Sequence, residues 1–173
     1  MIVKLNAVLM KGFNDGEFAR FVELTRAQPL AVRFIELMPT ADNMDFFTKR
    51  HLKAEALVEW LNGNGWNETP RAEADGPARQ FTKNGHAGSV GVIAPYANNF
   101  CGTCNRLRVT SRGRLRLCLF AEGEHSLRPL LQNDSQRTEL QESVRSLIGR
   151  KDISHYLPEG RIGNTRHFAA IGG

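Results

Sequence analysis

The 173-residue sequence predicts an α/β fold, and three observations carry that prediction. Short runs rich in Val, Leu and Ile at residues 2–10 and 30–37 enclose a stretch with helical spacing, a strand, helix and strand over roughly 36 residues. Residues 65–95 hold short strand-like segments separated by turn residues, which is an antiparallel pattern. Every cysteine falls between residues 101 and 118, where polar and apolar residues alternate around a Ser-Arg-Gly turn.

In chain order, residues 2–10 read as a buried strand, with Lys4 and Asn6 on one face. Gly12 punctuates a loop, and Asn14 or Asp15 is expected to cap a helix running through about Gln28, with Phe18, Phe21, Val22 and Thr25 at helical spacing. Pro29 stops it, and residues 30–37 form a second buried strand parallel to the first. This unit is barrel-like or Rossmann-like, and function would sit at the C-terminal ends of its strands. Arg33 and Glu36 interrupt the apolar strand, so they form either an internal ion pair or part of a site.

A loop at residues 39–45 leads to a helix expected over residues 49–62 and ended by Gly63 and Gly65. Residues 65–69, 78–83 and 89–95 read as antiparallel strands joined by turns at Asp75-Gly76-Pro77 and Asn84-Gly85-His86, and the cysteine hairpin extends this group. Helices are expected at residues 126–131 and 135–147. A soft boundary near residue 65 divides the chain into a parallel part, residues 1–64, and an antiparallel part, residues 65–173. The final Gly172-Gly173 reads as a flexible tail.

The hairpin of residues 105–119 sets Cys118 roughly opposite Cys104, with Cys101 a short loop away, so three thiols converge. Cys104, Arg106 and Arg108 share parity and face one way, while Leu107 and Val109 face the other. Neighbouring guanidinium groups favour the thiolate form that binds metal. Three cysteines leave one over from any disulfide, and the spacing suits zinc, with His125 as a fourth ligand, or an iron–sulfur cluster with an open iron. Arg112, Arg114 and Arg116 read as surface arginines on a solvated strand. The five histidines show no metal or triad spacing, and His51 and His155 read as surface residues.

At 41% hydrophobic and 24% charged residues, the chain has the composition of a soluble globular protein able to bury one core. A net charge of +5 points to an anionic partner. No apolar run approaches membrane-spanning length, Lys4 interrupts the N-terminus before a signal-like core forms, and the location reads as cytoplasmic. No Ser-His-Asp set, Walker loop or dinucleotide glycine fingerprint occurs.

The run FCGTCNRLRVTSRGRLRLCLF, with its C-x2-C-x13-C spacing, resembles the C-terminal cluster region of the GTP 3′,8-cyclases, radical S-adenosylmethionine (SAM) enzymes of molybdenum cofactor synthesis. The likeness extends through VKLNAVLMKGFND, VRFIELMP, DGPAR and the terminal Ile-Gly-Gly. The family's C-x3-C-x2-C motif for the SAM-cleaving cluster is missing, so the chain resembles the C-terminal half alone, beginning inside the barrel. The resemblance implies an incomplete TIM-type barrel at residues 1–64 and a cluster- and GTP-binding module at residues 65–173. It implies that Cys101, Cys104 and Cys118 hold the second 4Fe–4S cluster, whose open iron faces the guanine.

By the same resemblance, Arg106, Leu107 and Arg108 contact GTP, Lys4 and Arg33 bind it through the triphosphate, and Met38 and Asn6 contact SAM. In that family a 5′-deoxyadenosyl radical takes the ribose 3′ hydrogen of GTP, and the new radical attacks C8 of guanine. The resemblance therefore implies that this chain positions GTP but does not cleave SAM, and that it associates with itself or with the missing half. The competing reading is a zinc-stabilised nucleic-acid-binding module. Only Phe100 and Phe120 flank the basic hairpin, which is a poor base-stacking platform and argues against nucleic acid.

Overall fold

A five-stranded mixed sheet in the order β1-β2-β5-β4-β3 organises the first part of the chain. Its strands are β1 (Val3–Leu9), β2 (Leu30–Glu36), β3 (Asn67–Thr69), β4 (Arg79–Thr82) and β5 (Ser89–Ile93). The computed structural model describes residues 3–71, 76–98, 100–102, 104–166 and 168. Asp75 of the expected turn and the Gly172-Gly173 tail lie outside them.

β1, β2 and β5 run parallel, whereas β4 and β3 run antiparallel to their neighbours. The parallel crossover is as the sequence predicted, but the sheet does not change at residue 65, because β5 pairs with β2. Two compact units result, one comprising Met1–Met38 and Asp45–Thr103, the other Pro39–Met44 and Cys104–Gly173. The described strands form no closed barrel.

In the first unit, one sheet face is covered by α1 (Phe18–Glu23) and α3 (Ala54–Gly63). Val32 and Phe34 of β2, Val90 and Val92 of β5 and Phe81 of β4 pack there against Phe18, Val22, Leu57 and Leu61. The rings of Phe18 and Phe34 meet edge to face at 5.9 Å. β1 departs from expectation: Val3, Leu5 and Val8 are about 40% exposed, because β1 is an edge strand. Its apolar run is the kind that parallel strands bury on both faces.

The helices are shorter than the periodicity suggested. Neither Asn14 nor Asp15 caps α1: the Asn14 amide instead bridges the Val8 carbonyl and the Met10 N–H, and Asp15 accepts from the Gly12 N–H. The helix expected at residues 49–62 is two, α2 (Met44–Arg50) and α3, broken where Lys53 turns extended with ψ at 136°. Gly65, with φ at +76°, ends the connection as a left-handed glycine should.

The second unit is built on an antiparallel three-stranded sheet, β6 (Arg108–Val109), β7 (Arg114–Arg116) and β8 (His125–Ser126). The cysteine hairpin thus belongs to a sheet of its own and does not extend the first. Leu115, Leu117 and Leu127 form its core under Leu140, Val144 and Leu147 of α4 (Arg137–Ile148). The short helix expected at residues 126–131 is a 3-10 turn, Arg128–Leu130, with Pro129 in its first turn.

Candidate functional site

The sheet face of the first unit that the helices leave uncovered carries three of the residues singled out from sequence. Parallel register pairs Lys4 with Ala31, Asn6 with Arg33 and Arg33 with Gly91, which places Lys4, Asn6 and Arg33 on one face. The Arg33 Nε donates to Asn6 Oδ1 at 2.9 Å. Arg33 therefore pairs with Asn6 and not with Glu36, three residues along and on the opposite face. Met38 follows β2 and is half-buried.

Gly91 is part of this arrangement, although residue patterning assigned it no role. A Cβ there would stand 2.9 Å from Arg33 Cγ and 3.4 Å from Ala78 Cβ, so the arginine stem lies across the bare backbone of β5. Gly91→Ala is expected to push Arg33 off Asn6 and cost about 1–3 kcal/mol, an overpacking penalty visible in the thermal midpoint. An unchanged midpoint together with an intact Asn6–Arg33 bond would remove Gly91 from the site. An isolated glycine within a Val-Gly-Val strand was the available signal.

On the helix side, Glu36 is fully buried, and its Oε1 lies 2.8 Å from His51 Nε2. Burial pushes the Glu36 carboxyl up to about 7, partly offset by the Ala54 amide. Burial, and then Lys53, hold His51 below its ordinary value. Oε2 of Glu36 has no hydrogen-bond partner. Tyr96 lies against His51 with centroids 5.2 Å apart, and burial pushes its hydroxyl up to about 12. His51 is thus half-buried and paired with a buried carboxyl, where sequence had placed it on the surface.

In the second unit the ladder is brief. β6 and β7 pair only as Arg108 with Arg116 and Val109 with Leu115. Cys104 and Cys118 lie beyond its ends, and the register, if extended, would set Cys118 against Arg106. The expected alternation nonetheless holds: Cys104, Arg106 and Arg108 are half-buried, while Leu107 and Val109 are 37% and 57% exposed. Here the charged side chains are the more buried set, the reverse of a solvated strand.

Arg116 also breaks the expected pattern, being only 4% exposed. Its guanidinium reaches Glu124 Oε1 at 3.0 Å, the Ala121 carbonyl at 2.6 Å, Asn164 Oδ1 at 3.2 Å and Thr165 Oγ1 at 3.0 Å. The loop after Cys118 is thereby tied to residues 164–165. His155, likewise expected at the surface, is buried against Phe120.

All three cysteines are half-buried thiols outside any disulfide, Cys101 in the first unit and Cys104 and Cys118 in the second. Among the described residues, no group of three or more His, Cys, Asp or Glu side chains is placed to hold a metal ion. The hairpin does not gather the thiols by itself, because its ladder ends before reaching them. The donor chemistry does suit a thiolate-held group. Cys118 Sγ accepts from the Phe120 N–H at 3.5 Å, and Cys104 Sγ lies 3.6 Å from Lys151 Nζ, both contacts that stabilise negative sulfur. Cys118 also lines a cavity of about 320 Å³ with Arg150 and Arg161, at the lower end of ligand-pocket sizes.

A family model described as Molybdenum Cofactor Synthesis C matches residues 30–157. The chain belongs to the Molybdenum Cofactor Synthesis C family. It is also similar to proteins named GTP 3′,8-cyclase. The one from Stenotrophomonas maltophilia (strain K279a) is 49% identical over 171 residues, covering 99% of this chain and 52% of that protein. Those of Synechococcus elongatus and Haemophilus influenzae (strain Rd) are 46% and 45% identical, each over 99% of this chain. The chain spans about half the length of these curated relatives.

The Molybdenum Cofactor Synthesis C match includes Arg33, Met38, Arg106, Leu107, Arg108 and all three cysteines, while Lys4 and Asn6 precede it. It also includes Gly91, Arg116 and Lys151, which sequence patterning missed. For Arg116 and Lys151 no local signal existed, since their partners are up to 49 residues away in the chain.

Proposed function

We propose that this chain is the GTP-binding and second-cluster half of a GTP 3′,8-cyclase, which converts GTP to (8S)-3′,8-cyclo-7,8-dihydroguanosine 5′-triphosphate in molybdenum cofactor biosynthesis. The observation that carries this is the shared face of Lys4, Asn6 and Arg33 in a chain whose relatives bear that name. Lys4 and Arg33 bind the triphosphate, the lysine as a point charge and the arginine as a fork whose Nε is already held by Asn6. Asn6 and Met38 contact SAM. Arg106, Leu107 and Arg108 hold the guanine, with both arginines turned toward the more buried side of their segment.

Cys101, Cys104 and Cys118 would hold a 4Fe–4S cluster, which when bound would supply a Lewis-acidic iron for the guanine. These cysteines lie in irregular backbone, outside the short ladder of β6 and β7. The chain's contribution to the reaction is positioning, and cleavage of SAM belongs to the part its longer relatives carry in addition. The parallel strands β1, β2 and β5 then continue an incomplete TIM-type barrel, the cysteine-bearing region that follows serves as the cluster module, and the protein works in the cytoplasm. The exposed apolar residues of edge strand β1 support association there, with the rest of the barrel or with a second copy.

Anaerobic reconstitution with iron and sulfide tests this directly. The full chain is expected to turn brown, to lose that colour in Cys118→Ala, and to bind GTP about tenfold or more weaker in Arg33→Ala, the loss of one charge-assisted contact. It is expected not to cleave SAM. A colourless zinc protein whose GTP binding ignores Arg33 would overturn the proposal in favour of a zinc-stabilised module.

A further inference from the structure

Residues 104–107 belong to no ladder, yet they keep an extended alternation of burial. In an extended segment the carbonyls of residues i and i+2 point the same way, toward the position of a neighbouring strand. Here that position is taken by one side chain. Lys151 Nζ donates to the Cys104 carbonyl at 3.0 Å and to the Arg106 carbonyl at 3.1 Å, and it stands 3.6 Å from Cys104 Sγ. Three ammonium protons thus meet three acceptors. Lys151 is itself anchored just past α4, its backbone N–H donating to the Ile148 carbonyl at 3.0 Å. A lysine serving only the helix terminus would direct its charge at the last carbonyls of α4; this one spans 47 residues to reach a thiol and its flanking backbone.

Building on the function proposed above, we propose that Lys151 is a positioning residue: it clasps Cys104 and Arg106 into one segment, so that the cluster-holding sulfur and the nucleotide-holding guanidinium are fixed together, with a positive charge against the sulfur. The clasp stands in for the strand that β7 does not provide past Arg116. It follows that cluster and GTP sense the same side chain, although neither need touch it.

The test compares Lys151→Met and Lys151→Arg in the full chain. In cluster-free protein, Lys151→Met is expected to raise hydrogen exchange across residues 104–107 while leaving the exchange of β1, β2 and β5 unchanged. After anaerobic reconstitution, it is expected to weaken GTP binding about tenfold by calorimetry, the effect of losing one charged hydrogen-bonding clasp. The midpoint potential of the cluster is expected to fall, and its electron paramagnetic resonance signal to change, because a cation near the sulfur has gone. Lys151→Arg restores much of both. If Lys151→Met does not fold, Lys151→Gln gives the same comparison, removing the charge with a polar side chain one atom shorter.

A wild-type chain that holds the cluster and binds GTP, beside a variant identical to it in exchange, affinity and potential, overturns the role of Lys151 alone. A wild-type chain with neither cluster nor GTP binding overturns the underlying function, and the role of Lys151 with it.

Discussion

Replacing Arg116 with methionine is expected to cost about 3–5 kcal/mol, the usual penalty for deleting one partner of a buried, hydrogen-bonded ion pair. The removed guanidinium serves Glu124, Ala121, Asn164 and Thr165 together, and methionine fills its volume without satisfying any of them. Since a small domain holds only about 5–15 kcal/mol in all, the loss falls on the three-stranded unit as near-unfolding. Hydrogen exchange reads this directly. Amides of β6 and β7 are expected to lose protection in Arg116→Met, while those of β2 and β5 keep theirs. Arg116→Lys is expected to recover part of the loss, because an ammonium keeps the charge but not the fork. An Arg116→Met protein as stable as wild type, within about 1 kcal/mol, would show that the buried network contributes nothing net, as some ion pairs do.

Glu36→Gln is expected to remove a pH dependence of stability on the order of 3 kcal/mol, from a carboxyl raised from the ordinary 4.5 to about 7. A folded-state pKa above the unfolded one means the native protein keeps a proton that the unfolded chain has released. Stability from Glu36 is therefore fully present below pH about 4.5 and is lost as pH rises through about 7. His51 acts in the opposite sense: its lowered pKa gives stability that is present above the ordinary histidine value and lost on acidification. Glu36 is fully buried and His51 is not, so the carboxyl dominates the neutral range. Urea midpoints of wild type and Glu36→Gln at pH 5 and pH 8 check this. The wild type should weaken between the two relative to the variant, and the two proteins responding in parallel would refute the assignment. Glu23 and Glu68, whose pKa values are lowered by Arg26 and Arg79, respond in both proteins alike and cancel from the comparison.

The pairing of Glu36 with His51 shows where pattern reading stops. Sequence marked Glu36 as a charge inside an apolar strand, either ion-paired or part of a site, but its partner arrived through a helix break at residues 51–53 that helical spacing did not reveal. Propensity runs smoothly across that break, and the local hydrogen bonds and packing around His51 override it. The same contrast separates β1 from β2. Both have strand composition, but only β2 has neighbours on each side, so only β2 is buried.

The parallel crossover, the common face of Lys4 and Asn6, the alternation of Cys104, Arg106 and Arg108, and the likeness to a cofactor-synthesis family were all legible along the chain. These follow from periods of two and from residue identity, which are local properties of the chain. Only in the folded chain does it emerge that β5 joins β2 and so continues one sheet past residue 65, that Arg33 lies over Gly91, that Arg116 is buried, and that Lys151 returns to Cys104. Each of these is a contact between distant residues, set by which surfaces must be covered and which polar groups must find partners, and no window of adjacent residues carries that information.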